Sequence, residues 1–475
     1  MCRLSLTIYS SILLAAFSGC QSAPPIRTTG TTDWADEVQQ VAEFNQNESP
    51  VEKRAPGPAD YVSNVSYEEE LHLAINAPKE GNLDEPVSLT LADFEGIAFQ
   101  NNPTLSAAAA RIQAASGKQI QAGLYPNPVI GYHANEVGNF GTAGGQGGFV
   151  RQKFITGGKL QLDQAIAGKE VDEAHFRWHA QEQRVLSDVR IRFYETLVAQ
   201  HKVKLTEELV QIGDNLVKST QTLLTNRQAT ENDLLQAEIR ADNARILYDN
   251  AQNESLETWR RLAAVVGVPN IERSPLAGDL DENLPNFDWD TSFTQVLTNH
   301  PELNAAKARV DQFSFAVARA RKEPLPDIDV FVSVRHHNVS SDEVANIQVG
   351  IPLPIFNRNQ GNIQSAQSQW MAATNNVERI ELDLQDRFAV TFRRYANAQQ
   401  QVTRYSKRIL PKAQRSLDLV TVGFKKGQVE YLTLLTSQQT FVEVSLAHLD
   451  AARELRVAAV MIDGQLLTNS LAETK

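Results

Sequence analysis

The side chains most able to do chemistry are few and scattered. His175 and His179 stand four apart in a helical stretch, a spacing that can chelate a divalent metal. No Glu follows His175 in the HExxH arrangement, and a solvated helix face accounts for the pair. Gly157-Gly158-Lys159 follows a strand and opens a helix, as a phosphate loop does. Leu160 stands where Ser or Thr is needed and the upstream glycine is missing, so no nucleotide is expected. The only methionines are Met1, Met371 and Met461, which leaves no thioether relay for copper(I). His336 and His337 alternate faces at a strand end and cannot line one surface together. No Ser-His-Asp, Cys-His or paired-carboxylate constellation stands out, and the Asp and Glu residues read as solvated helix faces rather than a cation path. Neither catalysis, a cofactor nor a resident metal is expected. The charged residues that do form a pattern are Arg151, Lys153, Asp327, Asp329 and Arg335, which share the polar parity of alternating segments and would line water.

The element that positions three of them runs from Pro324 to Ile363. Ile328, Val330, Val332 and Val334 fall on one parity, with Asp327, Asp329, Ser333 and Arg335 on the other. Further on, Ile347, Val349, Ile351, Leu353 and Ile355 alternate with Asn346, Gln348, Gly350, Pro352 and Pro354. Period-2 alternation predicts two strands, with Ser340, Ser341 and Asp342 as the turn. One parity is aliphatic and the other polar or small, and each arm matches the length that crosses a bilayer as a tilted strand. A membrane hairpin is the reading; a hairpin packed on a soluble core is the alternative if the stretch stood alone.

The chain has 475 residues, 42% of them hydrophobic, and a net charge of −12. That charge argues against a nucleic-acid partner, since no basic patch could neutralise phosphates. Residues 1–20 read as an export signal: Arg3, an apolar run from Leu4 to Phe17, then Ser18 and Gly19. The run is too short for a spanning helix and no later stretch reaches spanning length, so any crossing falls to strands. The only cysteines are Cys2 and Cys20, and Cys2 leaves with the signal. Phe17-Ser18-Gly19-Cys20 resembles a bacterial lipobox, with Phe17 in place of the usual Leu, which implies lipidation of Cys20. Gln21 and Ser22 follow, and the absence of Asp there resembles outer-membrane sorting of enteric lipoproteins. Residues 21–86 are rich in Pro, Thr, Gln, Asn and Glu and read as a tether, with one short helix near 67–75.

The remainder is duplicated. Asn102-Pro103-Thr104-Leu105 and His300-Pro301-Glu302-Leu303 align at an offset of 198 residues, with Ala107, Ala108, Arg111 and Ala122 matching Ala305, Ala306, Arg309 and Ala320. Pro126 and Pro128 match Pro324 and Pro326 in the same frame. Gln228, Leu234 and Leu235 match Gln428, Leu434 and Leu435 at an offset of 200. The copies span 87–285, with a hairpin at about 127–154, and 286–468, with a hairpin at about 325–356; residues 469–475 are a tail. Each copy reads as a helix (89–124; 289–322), a hairpin, a very long helical stretch (160–224; 362–424) and a final helix (233–266; 431–467). In copy one the hairpin arms are expected at 127–135 and 147–154, the second alternating poorly, around a glycine-rich external loop. Ile363, Ala366, Trp370, Ala373, Val377, Ile380 and Leu384 step by three and four, as do Leu434, Ser437, Phe441, Val444, His448, Ala451 and Leu455. Such seams suit helices packed side by side. A 65-residue helix reaches about 100 Å, which implies an elongated helical body, and Pro411 should kink or break the second long stretch.

Four strands cannot close a barrel, and open edges are not tolerated in lipid. Two chains would give eight strands with a filled interior, whereas three give twelve and leave a lumen. The polar parity would face that lumen, and helices leaving every hairpin on one side would continue it as a tube. The breaks near Arg227 and Gly427 then become its tip, where a partner would dock. The duplication, the two Pro-x-Leu helix openings and Gly350-Ile-Pro-Leu-Pro-Ile-Phe-Asn-Arg-Asn-Gln-Gly-Asn362 resemble the TolC-type outer-membrane efflux family. The last motif is similar to the branch from cobalt–zinc–cadmium resistance systems. The resemblance covers about Val87 to Leu467. It implies a mainly α fold with a membrane β-barrel: a homotrimer with a twelve-stranded barrel in outer-membrane lipid and a twelve-helix periplasmic tunnel. It implies a periplasmic membrane-fusion adaptor and an inner-membrane proton-driven RND pump as partners, in a Gram-negative envelope. Lys425-Lys426-Gly427-Gln428-Val429 matches the family's glycine-containing tip, so Arg227, Gln228, Lys426, Gly427 and Gln428 are the docking candidates. Arg227 stands where copy two has Gly427, so the two turns are expected to differ in detail. Divalent heavy-metal cations are the expected cargo; drugs, other organic compounds or secreted polypeptide are the alternative. A periplasmic adaptor would lack the hairpins and contain a lipoyl-like domain, and a coiled-coil fibre is disfavoured by the strands.

Overall fold

The computed structural model describes residues 88–472 except 136, 139–143, 281 and 283. The export signal, Cys20, the tether with its short helix, the centre of the glycine-rich loop and residues 473–475 lie outside the described residues. The chain divides at Leu83 and Asp84, and every described residue belongs to the second unit.

Copy one contributes α1 (Leu91–Asn101), α2 (Pro103–Ala122), β1 (Val129–Asn135), β2 (Gly145–Phe154), α3 (Lys159–Thr225) and α4 (Glu231–Val266). Copy two repeats the order with α5 (Trp289–Asn299), α6 (Pro301–Lys322), β3 (Ile328–His337), β4 (Asp342–Gly350), α7 (Gln360–Arg404), a π-helical turn (Tyr405–Ile409), α8 (Leu410–Lys425) and α9 (Tyr431–Asp463). Among the described residues no helix is long and apolar enough to cross a membrane.

Where one helix is expected over 89–124 there are two, and likewise over 289–322. Asn102 and His300 precede prolines, which drive them to extended backbone at ψ 116 and ψ 118. Asn102 makes a full cap of this break: its Oδ1 accepts from the Thr104 N–H at 2.9 Å and its Nδ2 donates to the Val265 carbonyl at 2.7 Å. Pro411 does not break the second long stretch. The five-residue π turn directly precedes it, with the Leu410 N–H reaching back to the Tyr405 carbonyl, and this widened turn takes in a residue that has no N–H to give. α3, by contrast, is one helix of 67 residues.

Small residues let the long helices approach closely. Ala237, Ala241, Ala244 and Ala251 of α4 are buried, and a Cβ on Gly213 of α3 would lie 3.0 Å from the Ala241 Cα. The copy-two seam is buried at Ala366, Ala373 and Leu384, whereas Trp370 is 42% exposed within this chain. An aromatic core binds α5 to α7: Trp289 lies 4.9 Å from Phe388 and 5.3 Å from Phe392, and Phe287 lies 5.3 Å from Tyr395. The inter-copy segment is held by Arg456 of α9, which donates to the carbonyls of Leu280 at 2.9 Å, Asp279 at 3.1 Å and Glu282. Its guanidinium also covers the Tyr194 ring at 5.1 Å.

The two hairpins form one antiparallel sheet in the order β1-β2-β3-β4. β2 starts two residues earlier than expected, at Gly145. β4 ends at Gly350, so Ile351, Leu353 and Ile355 fall outside the strand that was expected to contain them. Pro352 and Pro354 have no N–H to give a ladder, which stops the strand there.

Candidate functional site

The register sorts the sheet's side chains onto two faces of opposite chemistry. Val129↔Arg151, Arg151↔Phe331 and Phe331↔Gln348 form one cross-strand row; Gly131↔Phe149, Phe149↔Ser333 and Ser333↔Asn346 form the next. Alternation places Ile130, Tyr132, Val150, Val332, Val334, Ile347 and Val349 together on the other face. That aliphatic face is the more open one: Ile130 is 77% exposed and Ile347 70%, while Ser333 on the polar face is 2% exposed. An apolar face turned outward is the reverse of what a sheet in water adopts.

All five charged residues expected to line water share the polar side, Asp327 just before β3 and the other four within the strands. Arg151 pairs with Asp329 at 3.6 Å and Lys153 with Asp327 at 3.1 Å. Arg335 has no ion pair among the described residues, and its buried Nε has no hydrogen-bond partner there. The expectation that this parity is only polar or small is corrected by three rings. Phe149 stacks on Phe331 with centroids 5.3 Å apart, and His133 meets both edge-on at 6.1 and 6.3 Å. Phe331 is legible in Asp329-Val330-Phe331-Val332-Ser333, where it takes the polar parity between two valines.

At the helical end of the sheet sits a clasp that sequence reasoning missed. Lys159 opens α3, where the helix dipole disfavours a cation. Its amine turns to copy two instead, donating to the Leu325 carbonyl at 2.7 Å and to Asp327 Oδ1 at 2.8 Å, and the side chain is 3% exposed. The Thr156 N–H donates to Asp327 Oδ1 at 3.2 Å and its hydroxyl to the Pro326 carbonyl at 2.6 Å. The Asp327 carboxylate thus meets three donors, the Lys159 amine, the Thr156 N–H and the Lys153 amine, which together satisfy its charge. The Gly157-Gly158 pair serves this turn, both residues at φ 71, with a Cβ on Gly157 only 2.7 Å from Leu325 Cδ1.

The opposite ends of the long helices carry the other candidates. Arg227 and Gln228 join α3 to α4; Lys426, Gly427 and Gln428 join α8 to α9, and all five are exposed. The two turns were expected to differ and do not. Arg227 takes φ 57 and Gly427 φ 69. The Gln228 N–H donates to the Leu223 carbonyl at 2.8 Å and the Gln428 N–H to the Gly423 carbonyl at 2.9 Å. Both helices thus close with the same left-handed cap, and Arg227 tolerates a conformation that glycine adopts freely. His175 is exposed on α3, and His179 Nδ1 meets Glu182 at 3.2 Å.

The family model for outer membrane efflux proteins matches residues 96–268 and 293–464. The chain belongs to that family. It is therefore an outer-membrane transport protein, in a family whose business is efflux rather than catalysis. It is 25% identical over 382 residues to the cobalt-zinc-cadmium resistance protein CzcC of Cupriavidus metallidurans, covering 79% of this chain and 89% of that one. It is 22% identical over 287 residues to the nickel-cobalt-cadmium resistance protein NccC of Alcaligenes xylosoxydans, covering 59% of this chain and 64% of that one. Among solved structures, CusC superposes with a TM-score of 0.68 at 17% identity, covering 81% of this chain and 93% of its own. The fold is thus that of the TolC-like channels.

Proposed function

We propose that this chain is one protomer of a trimeric outer-membrane exit duct for divalent heavy-metal cations, the outermost part of a tripartite pump. The observation that carries it is the sheet whose aliphatic face is the open one. That face matches lipid, and its polar face, with Arg151, Lys153, Asp327, Asp329 and Arg335, matches a water-filled lumen. A sheet with two bare edges must be completed by further copies, and three copies of four strands give a twelve-stranded barrel with an open bore. The helices of copies 87–285 and 286–468 extend the bore as a twelve-helix periplasmic tunnel. Arg227, Gln228, Lys426, Gly427 and Gln428 form its tip and receive a membrane-fusion adaptor, which links to an inner-membrane RND pump. Cys20 carries lipid that anchors the amino terminus to the same membrane; Cys20→Ala should then abolish labelling by a radioactive fatty acid.

The cargo rests on two resistance proteins for cobalt, cadmium, zinc and nickel that the chain resembles. A duct for organic compounds or polypeptide is favoured by one observation, the aromatic rings on the polar face. Deleting the gene and measuring cell content of zinc, cadmium, cobalt, copper and a drug panel separates the two. Accumulated metal supports the proposal; accumulated drug with unchanged metal removes the metal assignment and leaves the duct.

A further inference from the structure

Phe149 lies across β1 because its cross-strand partner is Gly131. A Cβ on Gly131 would stand 2.5 Å from both Cε1 and Cζ of that ring, far inside contact distance. The ring is confined on its other sides as well. Phe331 stacks against it at 5.3 Å, and His133 closes one edge at 6.1 Å. Its partner on the other flank is Ser333, which is 2% exposed, with a hydroxyl that has no hydrogen-bond partner among the described residues. The shelf of three rings therefore has a floor only as deep as Gly131 and Ser333 permit. A larger side chain at either position leaves Phe149 one direction in which to move, away from the strands and over the polar face.

We propose that Gly131 and Ser333 set the clear width of the duct at this level by letting the Phe149, Phe331 and His133 rings lie flat against the wall. The inference rests on the duct reading above. With one shelf per protomer, three shelves ring the bore, and the size of what passes is decided by how flat they lie.

The test places a thiol between the shelf and the helices by Asp329→Cys. That position lies on the same face as the shelf, further from the β3–β4 turn. Cells making the full chain are treated from outside with a small maleimide and with a bulky polyethylene-glycol maleimide, and background is read from the chain lacking Asp329→Cys. Both reagents should label the parent. Adding Gly131→Leu should abolish labelling by the bulky reagent and spare the small one, and adding Phe149→Ala to that variant should restore it. Ser333→Leu lifts the same rings from the other flank and gives the same loss, should Gly131→Leu fail to reach the membrane. Equal bulky labelling with and without the added leucine overturns the proposal, as does exclusion of the bulky reagent from the parent. If the small reagent fails to label the parent, the polar face is not a bore and the duct reading falls with it.

Discussion

His300 and Asn102 occupy matching places before a proline, yet only the asparagine satisfies its site. The His300 ring is fully buried and, unlike Asn102, makes no side-chain cap to its helix; the polar group facing it is the Gln465 backbone. Burial pushes its pKa down, against the pull of Glu302 and with the push of Arg387, from 6.5 to about 4. Between those values the unfolded chain binds a proton that the folded chain refuses, so stability is full above about pH 6.5 and falls as pH drops toward 4. The loss should total about 3 kcal/mol, and His300→Asn should remove it. Denaturant unfolding of the detergent-purified chain at neutral and mildly acid pH checks this; an equal pH response in both proteins would refute it. At the clasp, Asp327→Asn leaves the Lys159 amine buried without its counter-charge, which should cost about 3 kcal/mol in the same measurement. No change would mean that water reaches the amine. Neither role was legible in the sequence: His300 reads there as a repeat marker and Lys159 as an incomplete phosphate loop, because a lone His and a Lys at a helix start carry no periodicity. Lys159 takes its meaning from Asp327, 168 residues further along the chain, and His300 from how deeply packing buries it.

Among the elements, the tip turns and the strands give the sharpest expectations. A Cβ on Gly427 would meet nothing within 4 Å, so Gly427→Ala isolates the backbone cost of the left-handed cap, about 1 kcal/mol. Arg227→Gly should gain about the same at the matching turn; thermal unfolding of both variants reads the pair, and shifts of the same sign would contradict the shared cap. Val332 and Ser333 are neighbours on opposite faces of β3. Val332→Lys, on the aliphatic face, should cost about 2–4 kcal/mol of folding into lipid vesicles, whereas Asn346→Lys, on the polar face beside Ser333, should cost little. Equal penalties would mean that the faces are assigned wrongly. The strands and long helices were legible because period-2 and three-four patterns run through them. Less legible were the breaks at Asn102 and His300 and the unbroken passage at Pro411. There a single proline competes with a strong helical pattern, and the outcome depends on packing and capping that composition does not show.

For the whole molecule, the duplication fixed the order of elements, and the sheet joins both copies edge to edge through β2 and β3. What no periodicity reveals is how many chains complete the sheet. β1 and β4 remain edges, each with backbone groups that lipid cannot satisfy. The exposed Trp370, and Leu235, Ile239 and Ile246 along α4, are likewise apolar positions that a single chain leaves open. On the proposed duct reading both observations are met by further copies, and the strand count makes three the smallest number with a conducting bore. Native mass spectrometry of the full chain, released from detergent micelles, tests this most directly. The account predicts one species with the mass of three chains; a stable, membrane-extracted species with the mass of a single chain would contradict it.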